Sequence, residues 1–303
     1  MQIIDRQISG LGNQLFQYAA GRYFGTRYNS PVTMAIDPPE KANSYGFARP
    51  FLLSHFNISV PVRPLSRTDR LFISTRRDLA PLRHAFRRAR HVQVFAEPRD
   101  QQFTFIRDIA LEPGIRTLYL SGYWQNYGMV QSVEEILRRE LTFKAPAEGK
   151  NRELLAQIAF ANQPVSLHVR RGDYTLAAEG NRVLSMDFYA RAVALLRDRV
   201  ADPTFFIFSD DIPFTRANLP AGLRAVFVDH NDDASSHEDL RLMSACRHHI
   251  IANSSFSWWG AWLNPNPGKI VVAPQHWILS PASFYPDLLP PEWLLLDSLR
   301  APG

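Results

Sequence analysis

The segment His168-Val169-Arg170-Arg171-Gly172-Asp173 sets two guanidiniums side by side at the end of an apolar alternation, Val165, Leu167 and Val169. That alternation reads as a β-strand, and Gly172 ends it. Side chains alternate along a strand, so Arg170 and Arg171 leave it on different sides. One can clamp an anion bidentately in a crevice while the other is held by neighbouring carboxylates or carbonyls. Fixed cationic donors suit a diphosphate, whose negative charge grows as it leaves a sugar. Taken alone, the six residues fit an ordinary surface arginine pair almost as well. The elements around them decide.

From Pro164 onward the chain repeats one pattern: a short apolar run, a polar cluster, then an amphipathic stretch. Strand-like Val165–Val169 leads to Arg170–Tyr174. Helical spacing over Asp187–Val200 then puts Phe188, Ala192, Leu195 and Leu196 on one face. Strand-like Thr204–Phe208 ends in Ser209-Asp210-Asp211, ahead of a short helix near Phe214–Asn218. Ala225–Val228 ends in Asp229-His230-Asn231, and a helix follows near His237–Cys246. Strand-like His249–Ala252 ends in Asn253-Ser254-Ser255 before a Trp-rich helix, and Lys269–Ala273 is expected as the last strand. Strands alternating with helices imply right-handed crossovers and a parallel sheet. Each polar cluster then falls at the carboxyl end of a strand, the edge where open α/β sheets bind ligands.

The N-terminal half opens the same way. Met1–Ser9 reads as a strand, Gly10-Leu11-Gly12-Asn13-Gln14 as a tight turn, Leu15–Tyr28 as a helix and Pro31–Ile36 as a second strand. Glycines between strand and helix let the backbone approach a ligand, and a helix N-terminus favours negative charge. The third glycine of the dinucleotide fingerprint is missing, so the turn is also explained as purely structural. Residues 44–114 are proline-rich and read as irregular. The breaker-rich stretch 144–164 is the candidate hinge, dividing an N-terminal α/β domain, 1–150, from a C-terminal Rossmann-like domain, 151–303.

At 303 residues and 46% hydrophobic, the chain is long enough for two α/β cores. The single cysteine, Cys246, excludes an intramolecular disulfide framework and a cysteine metal cluster. No signal-peptide pattern or membrane-length apolar run is visible, so a cytoplasmic location is expected. The net charge is +5, with arginine far outnumbering lysine. Arg76, Arg77, Arg83, Arg87, Arg88 and Arg90 crowd one stretch with Leu79, Leu82 and Phe86 between them. This Arg76–Arg90 segment reads either as a solvated basic helix or as a surface for anionic lipid, at the inner face of the cytoplasmic membrane. No nucleic-acid motif accompanies it, so no nucleic-acid partner is expected.

Three segments together resemble the bacterial α-1,2-fucosyltransferases of glycosyltransferase family 11. They are Gly10 through Tyr18, His168 through Tyr174, and Ile251 through Trp262; Gly122-Tyr123-Trp124-Gln125 is also similar to a family segment. The resemblance runs in order from about Ile4 to Trp277. It implies an α/β, GT-B-like fold of two Rossmann-like domains facing across a cleft. It also implies inverting transfer of L-fucose from GDP-β-L-fucose to the 2-hydroxyl of a terminal β-galactoside, in surface polysaccharide or O-antigen synthesis. Such an enzyme has GDP-L-fucose as donor substrate and no separate cofactor, with a galactoside-containing glycan as acceptor.

Residue types allow that chemistry to be distributed. Many glycosyltransferases hold a divalent ion with an Asp-x-Asp triplet, and this chain contains none. Arg170 is the first candidate to replace the ion at the β-phosphate, with Arg171 organising the loop. Asn253, Ser254, Ser255 and Ser257 stand before and within a helix's first turn, whose free amides bind the same diphosphate or are simply capped. Gly10, Gly12, Asn13 and Gln14 are further donor-site candidates. By resemblance, His168 and one of Asp210 and Asp211 flank the base or ribose. Asp173 is a candidate general base, or else the ion-pair partner of Arg171. Glu179 is a weaker candidate. At least two of Trp258, Trp259 and Trp262 are expected in the core, and His248 with His249 makes no convincing metal pair. The alternatives are transfer of another GDP-linked sugar, transfer to another hydroxyl, or a non-catalytic basic nucleotide- or nucleic-acid-binding protein.

Overall fold

A computed structural model describes residues 1–37, 49–74, 80–172, 183–280 and 285–299. The chain divides into two compact units, Met1–Thr142 and Phe143–Gly303.

Unit 1 contains β1 (Gln2–Gln7), α1 (Leu11–Arg27), β2 (Val32–Ile36), β3 (Val62–Pro64), α2 (Arg67–Ile73), α3 (Ala80–Ala89), β4 (Val92–Ala96), β5 (Thr117–Ser121), α4 (Tyr127–Ser132) and α5 (Glu134–Glu140). Its five strands are parallel, in the order β3-β2-β1-β5-β4. α1 begins at Leu11, so the expected turn 10–14 is mostly the helix's own first turn, and only Gly10 lies outside as N-cap. Leu15, Phe16, Tyr18, Ala19 and Phe24 bury nearly all around this helix, which is why it reads poorly as amphipathic.

The described part of 44–114 is not irregular. It holds β3, α2 and β4, too short to show a period in sequence, and α3, which falls in the Arg76–Arg90 stretch read as a basic helix. Ser66 and Asp69 form a capping box on α2, and Asp69 also binds Arg63 and Tyr119. Arg63, Tyr119 and the Ser66 contacts together hold the Asp69 carboxyl below its ordinary range, against the opposing effect of burial. In the Arg-rich segment, Phe86 of α3 stacks on Phe72, and Arg87 donates to the Phe72 carbonyl. Leu82 is 61% exposed. Arg76, Arg77 and Leu79 lie outside the described residues.

Unit 2 contains α6 (Gly149–Phe160), β6 (Pro164–Val169), α7 (Met186–Arg197), β7 (Thr204–Ser209), α8 (Ile212–Asn218), β8 (Ala225–Val228), α9 (Ser236–Ala245), β9 (His248–Ile250), α10 (Ser255–Leu263), β10 (Val271–Pro274) and β11 (Leu294–Leu296). All six strands run parallel in the order β11-β10-β9-β6-β7-β8. The stretch taken as a hinge carries the helix α6. Lys269–Ala273 is not the last strand: three leucines add β11 beyond it.

The layering follows from β7. Phe205 and Ile207 pack with α7 residues Phe188, Ala192 and Leu196, whereas Phe206 and Phe208 pack with Leu154 of α6 and Leu242 of α9. Successive residues are buried on opposite faces, so helices cover both sides of the sheet. Each buried side chain of this size contributes roughly 1.5–3 kcal/mol. Both units are Rossmann-like: parallel sheets joined through helices, as the strand–helix alternation implied.

Candidate active site

Strand register assembles the carboxyl edge of unit 2. Leu167 pairs with Ile250, Val169 with Ser209, and Phe208 with Val228. Carried past the last paired residues, these registers set Asn253, Arg170, Asp210 and His230 at one level across four neighbouring strands. The polar clusters therefore converge because the parallel register levels their exits, one to three residues past the end of each strand.

Both arginines are anchored there by carboxylates. Arg170 Nη1 lies 2.9 Å from Asp210 Oδ2, with side chains 21% and 23% exposed. Asp210 Oδ1 accepts the Arg171 backbone N–H at 2.8 Å. Arg171 Nε donates to Asp211 Oδ2 at 3.2 Å, and its guanidinium lies 3.3 Å from the Phe214 ring centroid. Asp211 Oδ1 accepts the Phe214 N–H and so caps α8. Two adjacent arginines and two adjacent aspartates diverge from their strands and pair one to one. Asp210 and Asp211, the residues expected beside the base, direct their oxygens to arginines and backbone amides.

Gly172 permits this geometry. A Cβ there would stand 3.1 Å from Asp210 Cγ and closer still to Oδ2. His168, two residues before Arg170 on the same side of β6, is 5% exposed with its ring 5.9 Å from Phe256. Burial, and then the Arg170 charge, lower its pKa to about 3. A neutral imidazole of this kind can donate or accept a hydrogen bond, but it is not a proton carrier near neutral pH. Its Nδ1 is buried without a hydrogen-bond partner.

Ser254 is the N-cap of α10, accepting the Phe256 N–H at 3.3 Å. Ser255 begins the helix. Asn253 Nδ2 donates to the Trp277 carbonyl, tying this exit to the segment after β10. Ser257 Oγ turns back to the Ser254 and Ala252 carbonyls, and the residue is 2% exposed. Trp258, Trp259 and Trp262 pack on one another in the core, fixing the direction of α10. His249 bonds Ser166, and His248 bonds Gln163 and the Ile270 N–H. Asp173, Tyr174 and Glu179 lie outside the described residues.

The Gly10–Gln14 candidates belong to unit 1. Gln14 is a brace: Nε2 donates to the Ser9 and Pro50 carbonyls and Oε1 accepts the Leu52 N–H. Asn13 bonds Ser9 Oγ and Gln125 Nε2, and Gly12 is buried within α1. Gly10 is different. Its φ of −75° suits any residue, and an added Cβ would meet nothing within 4 Å.

Sequence reasoning missed Phe214 and Asp239. Phe214 sits three residues after the helix-capping Asp211, a spacing that placed a helix but no contact. Asp239, in the first turn of α9, accepts Asn231 Nδ2 at 2.6 Å. Burial raises its pKa to about 6. No periodic or motif signal marks it. Among the described residues, no group of three or more His, Cys, Asp or Glu side chains is placed to hold a metal ion. Also among them, no helix is long and apolar enough to cross a membrane.

Known proteins show the same architecture and sequence pattern. A bacterial fucosyltransferase, NodZ from Bradyrhizobium, superposes with a TM-score of 0.52 at 16% identity, covering 88% of this chain and 96% of that one. The O-antigen biosynthesis glycosyltransferase WbnK of Escherichia coli is 29% identical over 88% of this chain and 92% of its own length. An α-1,2-colitosyltransferase of Escherichia coli is 26% identical over 97% and 99%. A galactoside α-(1,2)-fucosyltransferase of Aotus azarae is 26% identical over 61% of this chain and 54% of its own. The family model for glycosyl transferase family 11 matches residues 65–297. With α/β units of the GT-B class and a match across most of its length, the chain belongs to glycosyl transferase family 11.

Proposed function

We propose that this glycosyltransferase moves L-fucose from GDP-β-L-fucose to the 2-hydroxyl of a terminal β-galactoside, with inversion and without a metal ion. The observation that carries this reading is the alignment of Arg170 with Asn253 and the N-terminus of α10 at one sheet edge. A guanidinium pinned in place and the first-turn amides beside Ser254 and Ser255 form a preorganised cradle for a diphosphate. Asp210 fixes the orientation of Arg170, so little ordering remains for the ligand to impose.

In the reaction, the acceptor oxygen bonds to the anomeric carbon as the carbon–oxygen bond to the β-phosphate breaks. The bonding electrons leave on phosphate, where Arg170 stabilises the growing charge. The hydroxyl proton passes to a base, for which Asp173 is the sequence candidate. With Asp210 and Asp211 committed to arginines, the guanine N1–H and amine fall to Asp239, and His168 contacts the base or ribose. Gly10, whose missing side chain nothing in unit 1 requires, leaves room for a ligand at the start of α1.

The relative that transfers colitose aligns over nearly the whole chain, which favours a second reading in which the donor carries that sugar. GDP release measured with GDP-fucose, nucleotide-linked colitose and GDP-mannose separates the two. Fucose-dependent release requiring a β-galactoside supports the first reading, and release confined to another sugar replaces it. We also propose that α3 meets an anionic membrane surface, a setting that suits O-antigen synthesis. Sedimentation with phosphatidylglycerol vesicles that falls with salt, and falls further in Arg88→Glu/Arg90→Glu, is the expected behaviour; salt-insensitive or absent sedimentation contradicts it.

A further inference from the structure

The loop leaving β5 repeats, in unit 1, the construction that fixes the arginine loop in unit 2. In unit 2 the carboxylate of Asp210 leaves a neighbouring strand, lies against Gly172 and accepts a backbone N–H. In unit 1 Glu97 leaves β4, lies against Gly122, and accepts two successive N–H groups through separate oxygens: Tyr123 at 2.7 Å and Trp124 at 3.1 Å. Ala96 pairs with Ser121, so Glu97 and Gly122 are level. A Cβ on Gly122 would stand 2.5 Å from Glu97 Cβ and 2.9 Å from Trp124 Cε2, so only glycine admits the approach.

Further constraints converge on the same few residues. Trp124 is held at φ 55°, a conformation costly for a non-glycine residue, with its buried ring stacked on Phe95. Gln17 Nε2 donates to the Gly122 carbonyl at 3.0 Å, and Asn126 caps α4. Burial pushes the Glu97 carboxyl above its ordinary range. A carboxylate kept in partial burial is expensive, and here it fastens a surface loop. The side chains this loop leaves half-buried at the edge are Tyr123 and Gln125. Gln125 Nε2 donates to Asn13 Oδ1 at 2.6 Å, joining the exits of β5 and β1.

We propose that Glu97 is a positioning residue that holds Tyr123 and Gln125, together with Asn13, as the edge of unit 1 that reads a neutral sugar acceptor. A phenol ring supplies an apolar face for a pyranose, and two primary amides supply the mixed donors and acceptors that sugar hydroxyls require. The proposal rests on the glycosyl-transfer reading above and deepens it by naming the residues that choose the acceptor.

The test uses the full chain with Glu97→Gln, which cannot accept two N–H groups equally, and Gln125→Ala, which leaves the clasp intact. Both are expected to raise the acceptor KM about tenfold while donor KM and kcat stay within about a factor of two, the signature of lost ground-state binding. Wild-type acceptor KM in both variants overturns the proposal. So does a parallel rise in donor and acceptor KM, which marks a merely structural clasp. Saturation-transfer NMR with methyl β-D-galactoside and GDP gives a readout without turnover. Transfer in the wild type that is lost in Gln125→Ala supports the edge, while absent or unchanged transfer overturns it. GDP affinity by calorimetry keeps the two ideas apart: a wild type that binds no GDP condemns the donor site of unit 2, not this edge.

Discussion

Replacing Gly172 with alanine tests the Arg170–Asp210 anchor without touching either charged group. The new Cβ would lie 3.1 Å from Asp210 Cγ and nearer to Oδ2, whereas ordinary contacts begin near 3.4 Å. The carboxylate must therefore swing away, because β6 and β7 are locked by six paired residues. Two interactions then fail together: the 2.9 Å pair with Arg170 and the 2.8 Å bond from Arg171 N–H. A hydrogen bond to a charged group contributes about 1.5–3 kcal/mol, and a partly exposed ion pair adds at most about 1 kcal/mol. Much of that loss appears as Arg170 disorder, which GDP must reverse on binding. The expected result is a GDP affinity about tenfold weaker by calorimetry, equivalent to about 1.4 kcal/mol, with a lower melting temperature. Asp210→Asn, which keeps the shape and removes the charge, should act in the same direction and more weakly. A GDP affinity within twofold of wild type in Gly172→Ala would refute the reasoning.

Arg170→Ala should lower kcat by about a hundredfold, on the order of 3 kcal/mol, the scale of losing one preorganised donor; near-normal turnover removes Arg170 from the mechanism. Asp239 is expected to exchange stability for binding. Its pKa is raised from 3.8 to about 6, so the folded chain carries no penalty below pH 3.8 and loses about 3 kcal/mol as pH rises through 6. Asp239→Asn should melt higher than wild type near neutral pH, match it near pH 4, and bind GDP more weakly; higher stability with unchanged GDP affinity makes Asp239 a structural carboxyl only. Chelation with EDTA should leave fucose-dependent GDP release intact, and activity abolished by EDTA and restored by manganese contradicts the metal-free reading.

Much of unit 2 was legible in sequence because its strands are long apolar runs followed immediately by polar residues. Val165–Val169 and Thr204–Phe208 declare both their type and their exits, and parallel register brings the exits together. The partners across that edge were not legible. Asp210 and Asp211 look like ligands for a base, and only the spacing between β6 and β7 shows that each meets an arginine. Gln14 looks like part of a phosphate turn because its true partners, Pro50 and Leu52, come from a distant segment. β3, α2 and β11 were missed because three to seven residues cannot display a period. Asp239 carries no signal at all: its altered acidity comes from burial, which a linear chain does not reveal.

The most direct measurement is a crystal structure of the full chain soaked with GDP in the presence of EDTA. The expected density places the β-phosphate within hydrogen-bonding distance of the Arg170 guanidinium and the first-turn amides of α10 beside Ser254. Phosphates bound elsewhere, out of reach of Arg170 and of the first-turn amides of α10, would contradict the central claim that a pinned arginine and a helix N-terminus hold the leaving diphosphate.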